Sequence, residues 1–244
     1  MLGLAIAAVL YATFDGVPEP TDGERVGPAV TVVDGYVAAF VLDAGDGTVV
    51  LIDAGQDPDA APIVRALARM DRRPEDVTAI LLTHGHEDHR GGVARFPRAR
   101  IYAHEDEIPL LAGEVAADGP IPRLSGRADP LRVTHPVRDG EVIALGELEA
   151  QAFHLPGHTR GSVAWWIGGT LFLGDSATSL DTGELAPSPW VFSDDTARNR
   201  ASLAALPDRL AAAGREVRLS VFSHAAPVRG MEPLRELADA CRSR

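Results

Sequence analysis

Lysine is missing altogether: all 23 basic residues of the 244-residue chain are arginine. Chemistry that needs a lysine amine, such as Schiff-base formation or a P-loop, is thereby excluded. Cysteine is nearly as scarce. The single Cys241 cannot form an internal disulfide, and its place near the C-terminus reads as a bystander on a terminal helix. Positive charge is also in deficit, since 35 acidic residues leave a formal net charge of −12. A field of that sign repels phosphate backbones, so no nucleic-acid partner is expected.

Long apolar runs are absent as well. Only residues 1–14, MLGLAIAAVLYATF, are continuously apolar, short of the ~20 residues a spanning helix needs. They also lack the basic start and small-residue cleavage site of a secretory signal. The segment is expected to be an anchor, a signal, or a first segment packed on the domain, which leaves the chain cytoplasmic or membrane-associated. Residues 15–244 are expected to form one domain, because no repeat, low-complexity tract or linker interrupts them.

The remaining pattern is mixed α/β (α+β). Residues 29–54 are rich in Val and Ile and broken at Asp34-Gly35 and Gly45-Asp46-Gly47, turn pairs that signal hairpins. Ile63, Leu67 and Met70 recur at helical spacing, with Asp57 or Asp59 as the expected cap. VTAILLT (77–83) reads as a buried strand, followed by another in ARIYAHE. Residues 105–136, with five prolines, Arg123, Arg127 and Arg132, show little periodicity and read as a lid or a surface excursion. Four more strands are expected between 141 and 175, a helix from Asp194 that stops at Pro207, a strand in VRLSVFSH and a closing helix with Pro233 in its first turn.

Chemistry concentrates at strand ends. THGHEDHRGG puts His84, His86, Asp88 and His89 directly after the 77–83 run, with Gly91 and Gly92 turning the chain back. Imidazoles mixed with a carboxylate suit zinc, iron or manganese. Further donors follow later strands: His158 in LPGHTRGS, Asp175 in LFLGDS and His224 in VFSH. Five imidazoles and two carboxylates suffice for two metals sharing a carboxylate. His104 and His135 have no ligand-like spacing and are expected at the surface or behind the ligands, and His154 in a structural role. Thr159 and Ser162 are expected to tie down the His158 turn, Glu87 to face solvent or stand behind the ligands, and Trp190 and Phe192 to pass near the same edge.

These runs, taken in order, resemble the metallo-β-lactamase superfamily over residues 29–230. The resemblance implies a four-layer αβ/βα sandwich, two mixed sheets with helices outside and a dinuclear site at one edge. It implies that His84, His86 and His158 hold one divalent ion, that Asp88, His89 and His224 hold a second, and that Asp175 bridges them. The ions are expected to be zinc, with iron or manganese as alternatives. The implied activity is hydrolysis of a small ester, lactone or thioester by a metal-bridged hydroxide, with Asp88 orienting it as the catalytic carboxylate. The partner is then a small-molecule carbonyl substrate. Asp175 makes the chain look more like hydroxyacylglutathione hydrolases and lactonases than lactam-cleaving enzymes. The chain ends soon after His224, so the helical region that completes the glutathione site in the former group is expected to be missing. A mononuclear iron sulfur dioxygenase of the same fold and β-lactam hydrolysis are the alternatives.

Overall fold

The turns at Asp34-Gly35 and Gly45–Gly47 fold the first strands into an antiparallel meander, and the chain then switches to parallel pairing. In the computed structural model, which describes residues 11–243, one sheet has seven strands in sequence order: β1 (Arg25–Val26), β2 (Ala29–Asp34), β3 (Val37–Asp43), β4 (Val49–Ile52), β5 (Val77–Leu81), β6 (Arg100–His104) and β7 (His135–Val137). Pairs β1 to β4 are antiparallel, and β4 to β7 parallel. The parallel strands need crossovers, supplied by helix α1 (Ala61–Arg69) and by the loops that carry short helices α2 (Glu87–Arg90) and α3 (Ile108–Leu111).

A second, six-stranded sheet runs β8 (Val142–Leu145), β9 (Leu148–His154), β10 (Val163–Ile167), β11 (Thr170–Phe172), β14 (Leu219–Val221) and β15 (Val228–Arg229), with β11 and β14 parallel. The hairpin β12 (Ala177–Ser179) with β13 (Leu185–Pro187) stands apart from both. Helices α4 (Thr196–Ala212) and α5 (Glu232–Arg242) complete the chain.

Burial divides into three layers of apolar contact. Between the sheets lie Phe40, Ile52, Leu81, Trp165, Phe172 and Val221. On the outer face of the first sheet, Ile63, Ala66 and Leu67 of α1 pack with Val41, Leu51 and Ile80. On the outer face of the second, Leu203, Leu206 and Leu210 of α4 and Leu234 and Leu237 of α5 cover Phe153, Leu171 and Phe222. Strands covered on both faces must be apolar throughout, hence VVLI and VTAIL rather than an alternating pattern. The result is the expected helix–sheet–sheet–helix order. The sheets are pinned by the Trp165 indole N–H, which donates to Leu82 O at 3.1 Å, and by Ala38 N–H to Ser223 O at 2.7 Å.

Two local readings are corrected, and a third gains detail. Helix α4 runs through Pro207 to Ala212 instead of stopping there. An interior proline forfeits a hydrogen bond at a cost near 3 kcal/mol, and the buried stripe Leu203, Leu206 and Leu210 on both sides of it offsets that loss. The cap of α1 is neither Asp57 nor Asp59. It is Ala60 at φ 48°, with Asp57 Oδ2 accepting from the next amide, Ala61, at 3.0 Å. The 105–136 excursion contains α3 and short 3-10 turns at its start and middle. Residues 1–10 of the apolar segment lie outside the described residues, while 11–14 are helical. No helix among the described residues is long and apolar enough to cross a membrane.

Candidate metal centre

Every donor singled out from the sequence sits past the C-terminal end of a strand, where parallel strands end together and loops converge. The loop after β5 carries His84, His86, Asp88 and His89; the β9–β10 turn carries His158; Asp175 follows β11 and His224 follows β14. The structure brings all seven side chains together. His84 Nε2, His86 Nδ1 and His158 Nε2 form a triangle with edges of 3.1, 3.0 and 3.1 Å. Ligands about 2.0–2.1 Å from one tetrahedral ion lie about 3.3 Å apart, close to this spacing. Next to it, His224 Nε2 is 3.4 Å from Asp88 Oδ2 and 3.2 Å from Asp175 Oδ2. His89 Nε2 is 3.7 Å from Asp88 and 3.5 Å from Asp175. Asp175 also reaches the first group, 3.7 Å from His158 Nε2.

The hydrogen bonds behind the rings decide which nitrogen faces inward bare. His89 Nδ1–H donates to Asp53 Oδ2 at 2.9 Å, and His224 Nδ1–H to the Tyr36 carbonyl at 2.8 Å. Thr83 Oγ1 gives its proton to Asp53 and so accepts from His84 Nδ1 at 3.1 Å. His158 Nδ1 bonds Ser188 Oγ at 2.8 Å. In the neutral ring, with the outer nitrogen protonated, the inner one carries a lone pair. Lone pairs and carboxylate oxygens thus converge on shared points, where the buried His89 Nε2 and Asp175 Oδ1 have no hydrogen-bond partner; His86 Nε2, the outer nitrogen of its ring, has none either. Native structures rarely leave such groups unsatisfied. A cation at each cluster removes the conflict, so the donor set fits divalent metal.

The electrostatics separate the two clusters. Burial, reinforced by His86, pushes His158 down to about 3, and burial pushes His86 down to about 4 against Asp88. These imidazoles stay neutral and ligand-competent at ordinary pH. In the second cluster burial opposes protonation, yet Asp175 and Asp88 hold His224 up at about 10. Burial likewise opposes ionisation of Asp88, but His89 and His224 bring it down to about 2. The second cluster therefore has the charge to draw in a cation, whether protons or metal.

Two carboxylates unnoticed in the sequence hold the loops. Asp53, fully buried at the end of β4 with φ 58°, accepts from Thr83 N at 2.7 Å and Thr83 Oγ1 at 2.8 Å besides His89. Its signal was there in LIDAG, an acid ending an apolar strand just as Asp175 does in LFLGD. Glu107, 1% exposed, accepts from Gly85 N at 2.6 Å, Gly161 N at 2.7 Å and Thr159 Oγ1 at 2.9 Å, so it clamps the β5 loop to the His158 turn. Burial lifts its carboxyl to about 7 despite those three donors. Nothing in HEDE distinguished it from its exposed neighbours Glu105 and Asp106.

The other side chains singled out have lesser parts. Thr159 N donates to Ser162 Oγ at 2.9 Å, tying the turn. Glu87 and His135 are exposed. His154 Nε2–H donates to Arg160 O at 3.0 Å and its ring stacks on buried His104 at 3.6 Å. Phe192 lines the cavity over the cluster, whereas Trp190 is 62% exposed.

The model of the metallo-beta-lactamase superfamily matches residues 32–224, from β2 through the last donor. The chain belongs to this superfamily. A hydroxyacylglutathione hydrolase of Xanthomonas axonopodis pv. citri (strain 306) is 36% identical over 172 residues, covering 70% of this chain and 57% of that protein. One of Aeromonas hydrophila is 35% identical over 167 residues, covering 65% of this chain and 52% of its own. The chain thus spans a little over half the length of these curated relatives. Among solved structures, a metallo-beta-lactamase family protein from Thermus thermophilus superposes with a TM-score of 0.64 at 25% identity, covering 88% of this chain and 77% of that one. A subclass B3 metallo-beta-lactamase of Bradyrhizobium japonicum gives 0.67 at 20% identity over 95% and 94%, a likeness of fold alone.

Proposed function

We propose that this superfamily member is a metal-dependent hydrolase that cleaves a small ester, lactone or thioester with water, giving the acid and the alcohol or thiol. The observation that supports this most is the convergence of inward lone pairs and carboxylate oxygens on two adjacent points, backed by outer hydrogen bonds. In this reading His84, His86 and His158 hold one divalent ion, Asp88, His89 and His224 a second, and Asp175 lies between them, with zinc the expected metal. Bound there, such ions acidify water and polarise a carbonyl oxygen. The chain's own groups do the rest. Asp53 and Thr83 fix the His89 and His84 rings, and Glu107 keeps the two ligand loops in register. Asp88, ionised and lining the cavity, accepts a hydrogen bond from the attacking water and orients it toward the substrate. The names of the curated relatives favour a thioester or ester over a lactam.

The test is a metal count on protein purified without added metal, paired with an ester, lactone and thioester panel. About two zinc or manganese ions per chain with turnover of any member support the reading. A folded protein that takes up no metal when supplied overturns it, and one iron with no hydrolysis moves the reading to the dioxygenase. In Asp88→Asn, kcat is expected to fall by about 10²–10⁴-fold while the ion at His84, His86 and His158 is retained.

A further inference from the structure

The cavity above the donor cluster has a volume of about 510 Å³, within the usual range for a small-molecule site. Its floor is polar: His86, Asp88, His158, Asp175 and His224. Its walls are not. Leu110 of α3, Ile121 of the proline-rich excursion, Phe192 and Phe14 supply them, from four separate stretches of chain. Phe14 sits 6.0 Å from the Phe192 ring and 6.4 Å from His224. Its stretch of backbone is held there, because Asp181 N–H donates to Gly16 O at 2.8 Å and Ala226 N–H to Pro18 O at 2.7 Å.

Charge is distributed just as unevenly. No arginine is among the described lining residues, and the one acidic side chain there beyond the donors is Glu87. Two guanidinium groups close by are engaged elsewhere. Arg90 donates to the Leu111 carbonyl at 3.1 Å and to that of Asp129, and Arg160 pairs with Asp118 at 3.2 Å. Arg123 and Arg127 are exposed. A carboxylate carried along these walls would lose water and gain no cationic partner among the lining residues, which is costly. An alkyl chain would instead lose unfavourable hydration with each methylene.

We propose that the site selects substrates whose acyl arm is apolar and uncharged, held by Phe14, Leu110, Ile121 and Phe192, and discriminates against acyl arms that end in a carboxylate. This rests on the hydrolase reading and adds the substrate class to it.

The experiment uses the metal-loaded protein and p-nitrophenyl esters from acetyl to decanoyl, each matched by an ester of the same length with a terminal carboxylate. The expected kcat/KM rises by about threefold per methylene until the cavity is full, and the carboxylated partners run at least about tenfold below. Phe14→Ala and Phe192→Ala flatten the dependence on chain length. Ile121→Arg recovers the carboxylated esters selectively, an effect that loss of structure would not produce. Equal or faster turnover of carboxylated esters overturns the proposal, most directly if Arg123→Ala/Arg127→Ala removes it. Calorimetric binding of decanamide against its terminal carboxylate separates this from the hydrolase reading. If no ester, lactone or thioester is turned over, that reading fails, while tighter binding of decanamide by about tenfold still supports the selectivity. Equal binding, or none of decanamide, overturns it.

Discussion

Asp53 and Glu107 illustrate how much of this site depends on residues that never face the cavity. Asp53 accepts three hydrogen bonds, and one of them orients His89. In Asp53→Asn an amide must present its N–H₂ or its carbonyl to Thr83 and His89 with one acceptor fewer, so His89 loses the partner that fixes its inward nitrogen. Affinity for the second metal is expected to fall by about 10–100-fold, measured by competition with a zinc chelator, while the first ion is held as before. Unchanged affinity would mean that the Asp53–His89 bond is incidental. Glu107→Gln turns an N–H₂ toward one of three donors and is expected to destabilise by about 1–3 kcal/mol. Its pH signature separates this from a generic packing loss. The native carboxyl titrates near 7, above its ordinary 4.5, so the folded protein binds more protons than the unfolded chain between those values. Stability from this residue is complete below about 4.5 and declines as pH rises to about 7. The advantage of the native protein over Glu107→Gln, from denaturant unfolding, should shrink across that window. A gap that is constant with pH would show that the buried carboxyl does not titrate as its surroundings imply.

At the scale of elements, the loops are built around glycines that permit backbone contact. A Cβ on Gly161 would stand 2.3 Å from the amide nitrogen of Glu107, too close for either loop to accommodate without moving. Gly161→Ala is therefore expected to cost about 1–3 kcal/mol through overpacking and to weaken zinc retention with it, both readable from melting scans with and without metal. An alanine variant as stable as the parent would show that the clamp tolerates displacement. The same elements explain what the sequence could and could not disclose. Strand ends such as THGHEDH, LFLGDS and VFSH were legible because an apolar run that terminates in costly polar groups demands a reason. Asp53 has the same signature but a single acid after a strand is common, and its partner His89 is 36 residues away. Glu107 is hidden among three consecutive acidic residues, and only the third dimension shows which one is buried. Pro207 misled in the other direction: local propensity ends the helix there, and burial of Leu203, Leu206 and Leu210 against the second sheet overrides it.

For the whole molecule, the donor set works as a joint between halves. His84, His86, Asp88 and His89 belong to the first sheet's loop, while His158, Asp175 and His224 follow strands of the second. Direct bonds also join the halves at this end, among them Trp165 to Leu82, Val163 N–H to Thr83 O at 2.9 Å and the Glu107 clamp on Gly161. Ions bound across the two sets would hold the sheets together and relieve the opposition of bare nitrogens that folding otherwise imposes. Because the complete donor set exists only in the folded chain, binding energy becomes folding energy. Free zinc at 100 times its dissociation constant contributes about 2.7 kcal/mol. For a domain of this size each kcal/mol shifts Tm by about 2–4 °C, so chelation is expected to lower Tm by roughly 5–10 °C, and added zinc to restore it. His158→Ala, which removes a donor from the second half while leaving the β5 loop whole, should abolish most of that zinc-dependent rise. If scanning calorimetry finds the same Tm for chelated and zinc-loaded samples, the ions do not bridge the halves and the donor cluster bears its internal conflict unaided.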